Sequence, residues 1–330
     1  MAQHSQISNL MKQRPLLALA PLAGLTDRPF RKIASQMGAH YTVTEMISSE
    51  ALVRESQKTL HMLKGVEEEE TTFVQLVGAR PKTMARAAQI VEDLGARGID
   101  INMGCPERRI VSQGAGAALL KDHSLALEVV SSVAGSTCLP VTVKMRLGWT
   151  TVDVDGTVKL INGFRECGVK IVAIHARTRA QMFSGLPHWD SLCEVVKGAS
   201  LPIIANGNIK DFESYKECLR ATGAEGVMIG RGALGSPWVF THIAEQGKMP
   251  LEPKTRWLAR FVNKIFHHLE DILTFYGEKM AILPMRYHLT WYSKGLKGAA
   301  HFREKIGRLG TPCEMIECFK ALLRLNGIAI

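Results

Sequence analysis

The sequence predicts an α/β protein, a (β/α)8 TIM barrel with a C-terminal all-helical domain, on two observations. Eight short apolar runs alternate with stretches of helical periodicity up to about residue 245, as expected of a parallel sheet whose strands are covered on both faces. After Pro250 the strand-like runs stop and only helical stretches follow. We therefore predict a barrel domain over residues 1–247 and a helical domain over residues 248–330.

The predicted strands follow one another in order, at 16–20, 41–46, 72–77, 98–102, 140–145, 170–175, 201–205 and 226–230. Two of the stretches between them, 82–96 and 154–168, have clear helical periodicity and a glycine stop. In the second domain, 254–275 and 312–326 read as helices. An open doubly wound sheet is the main alternative. No GxGxxG segment opens the first helix, which disfavours the dinucleotide-binding version of that sheet.

The composition indicates a soluble globular protein that uses its cysteines in reduced form. Of the 330 residues, 46% are hydrophobic and 22% are charged, which is typical of globular domains. The seven cysteines are odd in number and form no CxxC pair. This argues against a disulfide framework and against a cysteine zinc site, and it favours a reducing compartment. We expect a cytoplasmic monomer without a metal.

The start of the chain resembles a secretory signal, because Lys12 and Arg14 precede the apolar run Leu16–Leu25. The run is short and interrupted by Pro21, so it is better interpreted as the first barrel strand. No stretch approaches the ~20 apolar residues that a membrane span requires. We therefore expect no membrane association.

Positive charge is concentrated near the C-terminus. The net charge is +10, and residues 250–330 hold 13 Lys/Arg against 7 Asp/Glu. Between Arg286 and Arg308 there are six basic residues and one acid, interleaved with Tyr287, Trp291, Tyr292 and Phe302. Such a segment suits a nucleic-acid surface, where cations meet phosphates and rings stack on bases. It is equally typical of an amphipathic helix with a solvated basic face and a buried aromatic face.

The segment INMGCP at 101–106 carries the clearest sign of chemistry. Gly104 and Pro106 end the strand before it, so Cys105 lies in a turn at the carboxyl end of a strand. In a (β/α)8 barrel that end holds the active site. A thiol there can be a nucleophile, a proton donor, a metal ligand or a buried residue without a role in catalysis.

Glycine-rich turns after the last two predicted strands indicate a phosphate site. Asn206-Gly207-Asn208 follows the seventh strand, and Gly230-Arg231-Gly232 follows the eighth. Barrel enzymes often bind phosphate with these two loops. Glycine lets backbone N–H groups approach an anion, and an arginine adds a charged fork. Lys144 and Gln75 could meet the polar edge of a ring held deeper in the barrel mouth.

Nine segments together resemble the tRNA-dihydrouridine synthase family, and they are most similar to its bacterial B-type branch. They occur in the family's order over the whole barrel: PLAGLTDRPFR at 21–31, VTEMISSE at 43–50, VQLVG at 74–78, DINMGCP at 100–106, GAALL at 116–120, VKMRLGW at 143–149, HARTR at 175–179, PIIANGNI at 202–209 and GVMIGRGALGSPW at 226–238. The helical domain matches more loosely, around RYHLTWY at 286–292.

The resemblance implies an FMN-dependent oxidoreductase that reduces the C5=C6 bond of selected uridines in the D-loop of tRNA, with NADPH as reductant. Hydride passes from flavin N5 to uracil C6, and Cys105 gives a proton to C5. The implied flavin-binding residues are Pro21, Leu22, Ala23, Gln75, Lys144, His175, Asn206, Gly207, Asn208, Gly230 and Arg231. The implied substrate-binding residues are Asn102, Arg177 and Arg286.

Three departures from the family pattern and two rival functions accompany this interpretation. The family often has an acid at the position of Asn208, a glycine at that of Ala176, and lysines at those of Arg108 and Arg109. None of these removes a group that the chemistry needs. The rivals are an FMN-dependent reductase of a small pyrimidine and a non-catalytic RNA-binding barrel. The basic helical domain argues against the first, and the intact Cys105 and Lys144 argue against the second.

Overall fold

The computed structural model describes residue 10 and residues 12–330, and this part of the chain forms two compact units. The barrel unit contains the described residues up to Pro21, then His40–Ile209 and Ser214–Gly230. The helical unit contains Leu22–Ala39, Lys210–Glu213 and Arg231–Ile330. The domain division near residue 247 stays a prediction.

Eight parallel strands close into a barrel, which confirms the predicted fold class. The strands are β1 Leu16–Leu19, β2 Tyr41–Val43, β4 Thr72–Val77, β5 Ile99–Met103, β6 Val141–Arg146, β7 Ile171–His175, β8 Ile203–Asn206 and β9 Gly226–Ile229. β1 pairs with both β2 and β9, and this closes the ring. Because all strands are parallel, their carboxyl ends meet at one mouth of the barrel.

The second predicted strand is shorter than expected. It ends at Val43, and a two-residue strand, β3 (Ile47–Ser48), pairs with β4 after a gap. The reason lies at Thr44, where the side-chain hydroxyl rather than a backbone carbonyl accepts the hydrogen bond from Gln75 N, at 2.9 Å. This side-chain acceptor interrupts the backbone hydrogen-bond ladder between the second strand and β4, beside Gln75.

Helices follow most strands, and several begin at caps that the sequence encodes. Asp122 Oδ1 accepts from Leu125 N, and Asp153 Oδ1 accepts from Gly156 N. The predicted helices at 82–96 and 154–168 are present as α4 and α7. The described helices up to β9 are α1 Arg28–Gln36, α2 Ser49–Val53, α3 Gln57–Met62, α4 Pro81–Asp93, α5 Arg108–Val111, α6 His123–Ala134, α7 Val154–Glu166, α8 Trp189–Gly198 and α9 Phe212–Thr222.

The barrel interior is filled by apolar side chains. Leu16, Ala18 and Ala20 alternate along β1 and its end, and they share one face with Tyr41 and Val43 in a single buried cluster. The ring of Phe73 packs edge-on against that of Tyr41, and the two ring centroids lie 5.7 Å apart. The barrel is therefore a packed core, and its polar chemistry must lie toward the mouth.

The helical unit combines α1 with four further helices: α10 Val239–Ala244, α11 Lys254–Ser293, α12 Ala299–Arg308 and α13 Pro312–Leu325. Asp27 caps α1 by accepting from Phe30 N. Gly277 (φ 71°, ψ 163°) divides α11 into two helical stretches, near the end predicted at residue 275. Lys32 of α1 forms an ion pair with Asp271 of α11 at 2.6 Å.

The segment 286–308 has features of both interpretations that its sequence allows. Tyr292 and Phe302 are buried against Phe319, as in an amphipathic helix. Tyr287 is 45% exposed, and the cations Lys294, Lys297, Lys305 and Arg308 are also exposed. The exposed part of this segment could bind RNA, and that contact stays a prediction.

Over residue 10 and residues 12–330, no helix is both long enough and apolar enough to cross a membrane.

Candidate active site

A buried hydrogen-bonded group, which we call the barrel network, connects three strands below the barrel mouth. Asp100 Oδ2 accepts from Gln75 Nε2 at 2.7 Å, and its Oδ1 accepts from Thr142 Oγ1 at 2.6 Å. These residues face one another because Gln75 is the cross-strand partner of Asp100, which in turn is the partner of Thr142. With its nitrogen held, Gln75 presents Oε1 to Asn102 Nδ2 at 2.7 Å.

The barrel network fixes the turn that holds Cys105. Asn102 Oδ1 accepts from the backbone N–H groups of Gly104 and Cys105, at 3.1 and 2.9 Å. The Cys105 carbonyl accepts from Ala117 N at 3.0 Å. Arg146 Nε donates to the Gly104 carbonyl at 2.7 Å. The backbone beside the thiol is thus held by three different segments of the barrel unit.

The Cys105 thiol is protonated at neutral pH. The residue is 8% exposed, and burial raises the pKa of its thiol. The Glu107 backbone N–H lowers this pKa, the Glu107 carboxylate raises it, and Arg146 and Lys144 lower it, but the net shift is upward. A thiol with a raised pKa suits a proton donor better than a resting thiolate nucleophile.

Among the described residues, Cys105 does not belong to a cluster of potential metal ligands. In the part of the chain that the structure describes, the one cluster of three potential metal ligands lies elsewhere and does not include Cys105. Of the four roles open to this thiol, proton donor therefore has the best physical support.

Lys144 places an ammonium group beside the same turn. It is the cross-strand partner of Asn102, and its Nζ donates to Asn206 Oδ1 at 3.4 Å. Burial lowers the pKa of Lys144 to about 8, repulsion from Arg146 adds to this, and Asp100 and Cys105 oppose it. Asn206 is itself held, because its Nδ2 donates to the Met228 carbonyl at 2.7 Å. Lys144 is thus mostly a cation at neutral pH, with one long hydrogen bond.

Arg177 ties the loop after β7 to the loop after β8. It is 1% exposed, and its Nη2 donates to the Gly185 carbonyl at 2.6 Å and to Asn208 Oδ1 at 2.9 Å. Its Nη1 lies 3.1 Å from His175 Nε2. Because a guanidinium can only donate, His175 must accept there, so it is neutral with its proton on Nδ1. These bonds give Arg177 a structural role, and its contact with substrate stays a prediction.

The loop after β8 needs its residue types for conformational reasons. Gly207 has φ 140°, and a Cβ there would lie 3.2 Å from Pro187 Cβ. Asn208 has φ 56°, a left-handed conformation that asparagine adopts more readily than most residues. The departure at Asn208 from the family's acid is therefore compatible with the backbone, and Asn208 still supplies an oxygen to Arg177.

Two further predicted residues of the barrel unit lie at strand ends. Pro21 follows β1, whose ladder to β9 continues through the hydrogen bond from Ala20 N to the Ile229 carbonyl at 2.8 Å. Gly230 directly follows β9. Both lie at the carboxyl ends of their strands, as the sequence predicted.

Four other predicted residues belong to the helical unit: Leu22, Ala23, Arg231 and Arg286. Arg286 Nε donates to the Ile306 carbonyl at 3.0 Å, and its Nη2 donates to the Leu309 carbonyl at 2.7 Å. Arg286 therefore caps the carboxyl end of α12. The cofactor or substrate contacts of these four residues stay predictions.

The sequence reasoning missed two residues that hold the site together. Asp100 and Thr142 anchor the barrel network through their hydrogen bonds. Asp100 had a detectable signal, since an acid inside an apolar strand is rarely buried unless it is paired. The hydrogen bonds of Asp100 to Gln75 and Thr142 were not detectable, because they depend on the register between strands.

Comparison of the sequence with known proteins identifies the family. A model of the family described as dihydrouridine synthase matches residues 18–325. A probable tRNA-dihydrouridine synthase of Rickettsia conorii is 37% identical over 302 residues, which are 91% of either chain. A tRNA-dihydrouridine synthase B of Pseudomonas aeruginosa is 35% identical over 321 residues, 95% of either chain.

Among solved structures, one described as a putative lyase/mutase from Burkholderia cenocepacia has a TM-score of 0.50 and 14% identity, covering 79% of this chain and 96% of that one. This likeness concerns the fold alone. A family model matches residues 18–325, and relatives at this identity include proteins named tRNA-dihydrouridine synthase B. The chain therefore belongs to the dihydrouridine synthase family and resembles its B-type branch.

Proposed function

We propose that this protein is a tRNA-dihydrouridine synthase, which reduces the C5=C6 bond of selected uridines in the D-loop of tRNA in the cytoplasm, with FMN as resident cofactor and NADPH as reductant. One observation carries the proposal. A protonated thiol, Cys105, is held by its backbone beside the cation Lys144 at the mouth of a barrel. Family membership gives the reaction to which this pair of groups is suited.

The residues at the mouth fit a flavin with a phosphate. Among the described residues, Lys144 has one acceptor, Asn206 at 3.4 Å, so its ammonium can take up an acceptor atom of a ring. Lys144, Arg146 and Arg177 bring three cations to this end of the barrel, against one acid in the barrel network, Asp100. The resulting positive balance suits an anion. We assign cofactor binding within the barrel unit to Pro21, Gln75, Lys144, His175, Asn206, Gly207, Asn208 and Gly230.

When bound, the reduced flavin would supply the hydride that C6 of the uracil receives. The chain's own task is the proton. Cys105 donates it from Sγ to C5, which breaks the S–H bond and forms the C–H bond that completes the reduction. Lys144 and Arg146 stabilise the thiolate that remains, since both lower the pKa of this thiol. Asn102 holds the backbone of Cys105 and so keeps Sγ in place.

The helical unit would bind the RNA. A uridine must leave the stacked RNA to reach a barrel mouth, so the enzyme has to hold tRNA firmly by other contacts. The exposed cations Lys294, Lys297, Lys305 and Arg308 and the exposed ring of Tyr287 suit this task. Affinity for tRNA should then fall steeply with salt. A salt-independent affinity would contradict this part of the proposal.

The decisive experiment is mass spectrometry of tRNA from a strain that lacks this gene. We expect dihydrouridine to disappear from one D-loop position and to return with the wild-type gene but not with Cys105→Ala. Unchanged dihydrouridine would overturn the proposal. Two observations on the purified protein separate the rivals. A small-pyrimidine reductase would let free uridine re-oxidise the reduced flavin, and a non-catalytic barrel would be colourless.

A further inference from the structure

A second buried polar group, which we call the helical cluster, lies within the helical unit and consists of Asp27, His268 and His288. Asp27 caps α1, and the two histidines come from the two stretches of α11 on either side of Gly277. One ring nitrogen of each histidine and one carboxylate oxygen lie within 4.8 Å of one another. All three residues are at most 4% exposed.

Among the residues that the structure describes, most of the imidazole nitrogens in this cluster have no hydrogen-bond partner. His268 Nε2 and both ring nitrogens of His288 are buried without one in this part of the chain. His288 Nε2 lies 3.9 Å from Asp27 Oδ1, which is too far for a hydrogen bond. Folded proteins rarely leave buried polar atoms unsatisfied. These nitrogens therefore require something that the three side chains do not supply to one another.

We propose that Asp27, His268 and His288 bind a divalent transition-metal ion of the zinc type. Two imidazoles and one carboxylate are a ligand set that suits Zn²⁺, and one enclosed water would complete the tetrahedron. A tetrahedral zinc ion with bonds of about 2.1 Å holds its ligand atoms about 3.4 Å apart. The three side chains would therefore close by about 1 Å around the ion, within the reach of small rotations about their side-chain bonds.

The residues around the helical cluster are arranged as metal sites require. His268 Nδ1 lies 3.0 Å from the Tyr292 hydroxyl, which can accept the Nδ1 proton and leave the Nε2 lone pair for a metal. The Tyr276 hydroxyl donates to Asp27 Oδ2 at 3.0 Å. Asp27 Oδ1 accepts from Phe30 N, which holds the carboxylate at the start of α1. The hydrogen bonds of this second layer orient the ligands toward one another.

The metal would have a structural role. The cluster is closed to solvent, unlike a catalytic site. Its ligands come from the N-cap of α1 and from both stretches of α11. An ion there would hold these three segments together. Because binding to the folded state alone stabilises it, the free energy of unfolding should rise with free Zn²⁺. This role is independent of the proposed reaction, which uses other residues.

The test uses the full-length protein, purified from zinc-supplemented cells and dialysed against a weak chelator. We expect elemental mass spectrometry to find one zinc ion per chain in the wild type. We expect the same in His267→Gln, the matched control, since His267 is the exposed neighbour of His268. The zinc content of His268→Gln and of His288→Gln should be lower by about tenfold or more. Zinc retained in both of these variants would assign the metal to other groups and overturn the proposal.

A second measurement needs only the wild type, so it does not depend on whether a variant folds. Co²⁺ added to the metal-free protein should give the visible bands of a tetrahedral site in the difference spectrum, without a thiolate charge-transfer band from the seven cysteines. Zn²⁺ should raise the Tm by several degrees. A wild type that binds neither ion and keeps its Tm would overturn the proposal, and the cluster would then be hydrated.

Discussion

The barrel network and the helical cluster are both buried groups of polar side chains, and they differ in how far they satisfy one another. In the barrel network the carboxylate of Asp100 and the amides of Gln75 and Asn102 all have partners at 3.1 Å or less. In the helical cluster, three of the four ring nitrogens of His268 and His288 have no partner among the described residues. A satisfied network positions a neighbouring group, here Cys105, whereas an unsatisfied one indicates a missing ligand.

The largest effect should come from the one reactive group that the barrel network positions. Cys105→Ala should lower turnover by about 10²- to 10⁴-fold, the usual contribution of a general acid. It should still bind flavin and tRNA, because neither contact needs the proton. Single-turnover reduction of tRNA followed by flavin absorbance measures this. Cys138→Ala, at an exposed cysteine, is the matched control, and full activity of Cys105→Ala would disprove the role.

A smaller effect should follow from removing the anchor of the barrel network. Asp100→Ala takes away the acceptor for Gln75 and Thr142, so the chain of bonds to Cys105 loses its fixed end. We expect kcat to fall about tenfold, since small displacements of reacting groups are costly, with KM for tRNA nearly unchanged.

Asp100→Asn is the matched control for that variant. Its oxygen can still accept from Gln75, and Thr142 can turn its hydroxyl proton to the Ile99 carbonyl, which lies 3.4 Å away. Asp100→Asn should therefore keep most of the activity. Equal losses in Asp100→Ala and Asp100→Asn would show that the charge of Asp100 matters, and not the position it imposes on Cys105.

The same contrast explains how much could be predicted from the sequence. Strand positions were predictable, because buried parallel strands are continuous apolar runs, and Cys105 and Lys144 were found because they follow or end such runs. The hydrogen bonds that Asp100 makes with Gln75 and Thr142 were not predictable, because they depend on how the strands pair. The helical cluster was not predictable either, since Asp27, His268 and His288 are far apart in sequence and form no local spacing motif. The sequence analysis accordingly expected no metal.

Other residues were found by sequence without the structural role that they have. The guanidinium of Arg286 caps α12, and its contact with substrate stays a prediction. Tyr292 and Phe302 lie in a segment that the sequence allows as an RNA surface or as an amphipathic helix, and both are core residues. Composition alone cannot separate the exposed from the buried members of a mixed basic and aromatic segment, because both faces of a helix share one sequence.

A pH effect should distinguish Lys144 from the neutral groups of the barrel network. Its pKa is about 8, so the ammonium is charged below that pH and neutral above it. If the charge holds the cofactor, the affinity of the flavin-free protein for FMN should fall about fivefold between pH 7 and pH 9. Titration by flavin fluorescence measures this. Lys144→Met should bind more weakly with no such step, and an unchanged step in that variant would assign the titration to another group.

The smallest effect should come from the loop after β8, where the hydrogen-bond geometry can be kept while the charge changes. Asn208→Asp retains an oxygen for Arg177 and tolerates φ 56°, but it adds a negative charge where we expect the phosphate of FMN. Affinity for FMN should fall about threefold at low salt and recover at high salt, where such repulsion is screened. Riboflavin, which has no phosphate, is the matched ligand and should bind both proteins equally. A loss of riboflavin binding in Asn208→Asp would mean that the loop had changed shape, and the predicted phosphate position would lose its support.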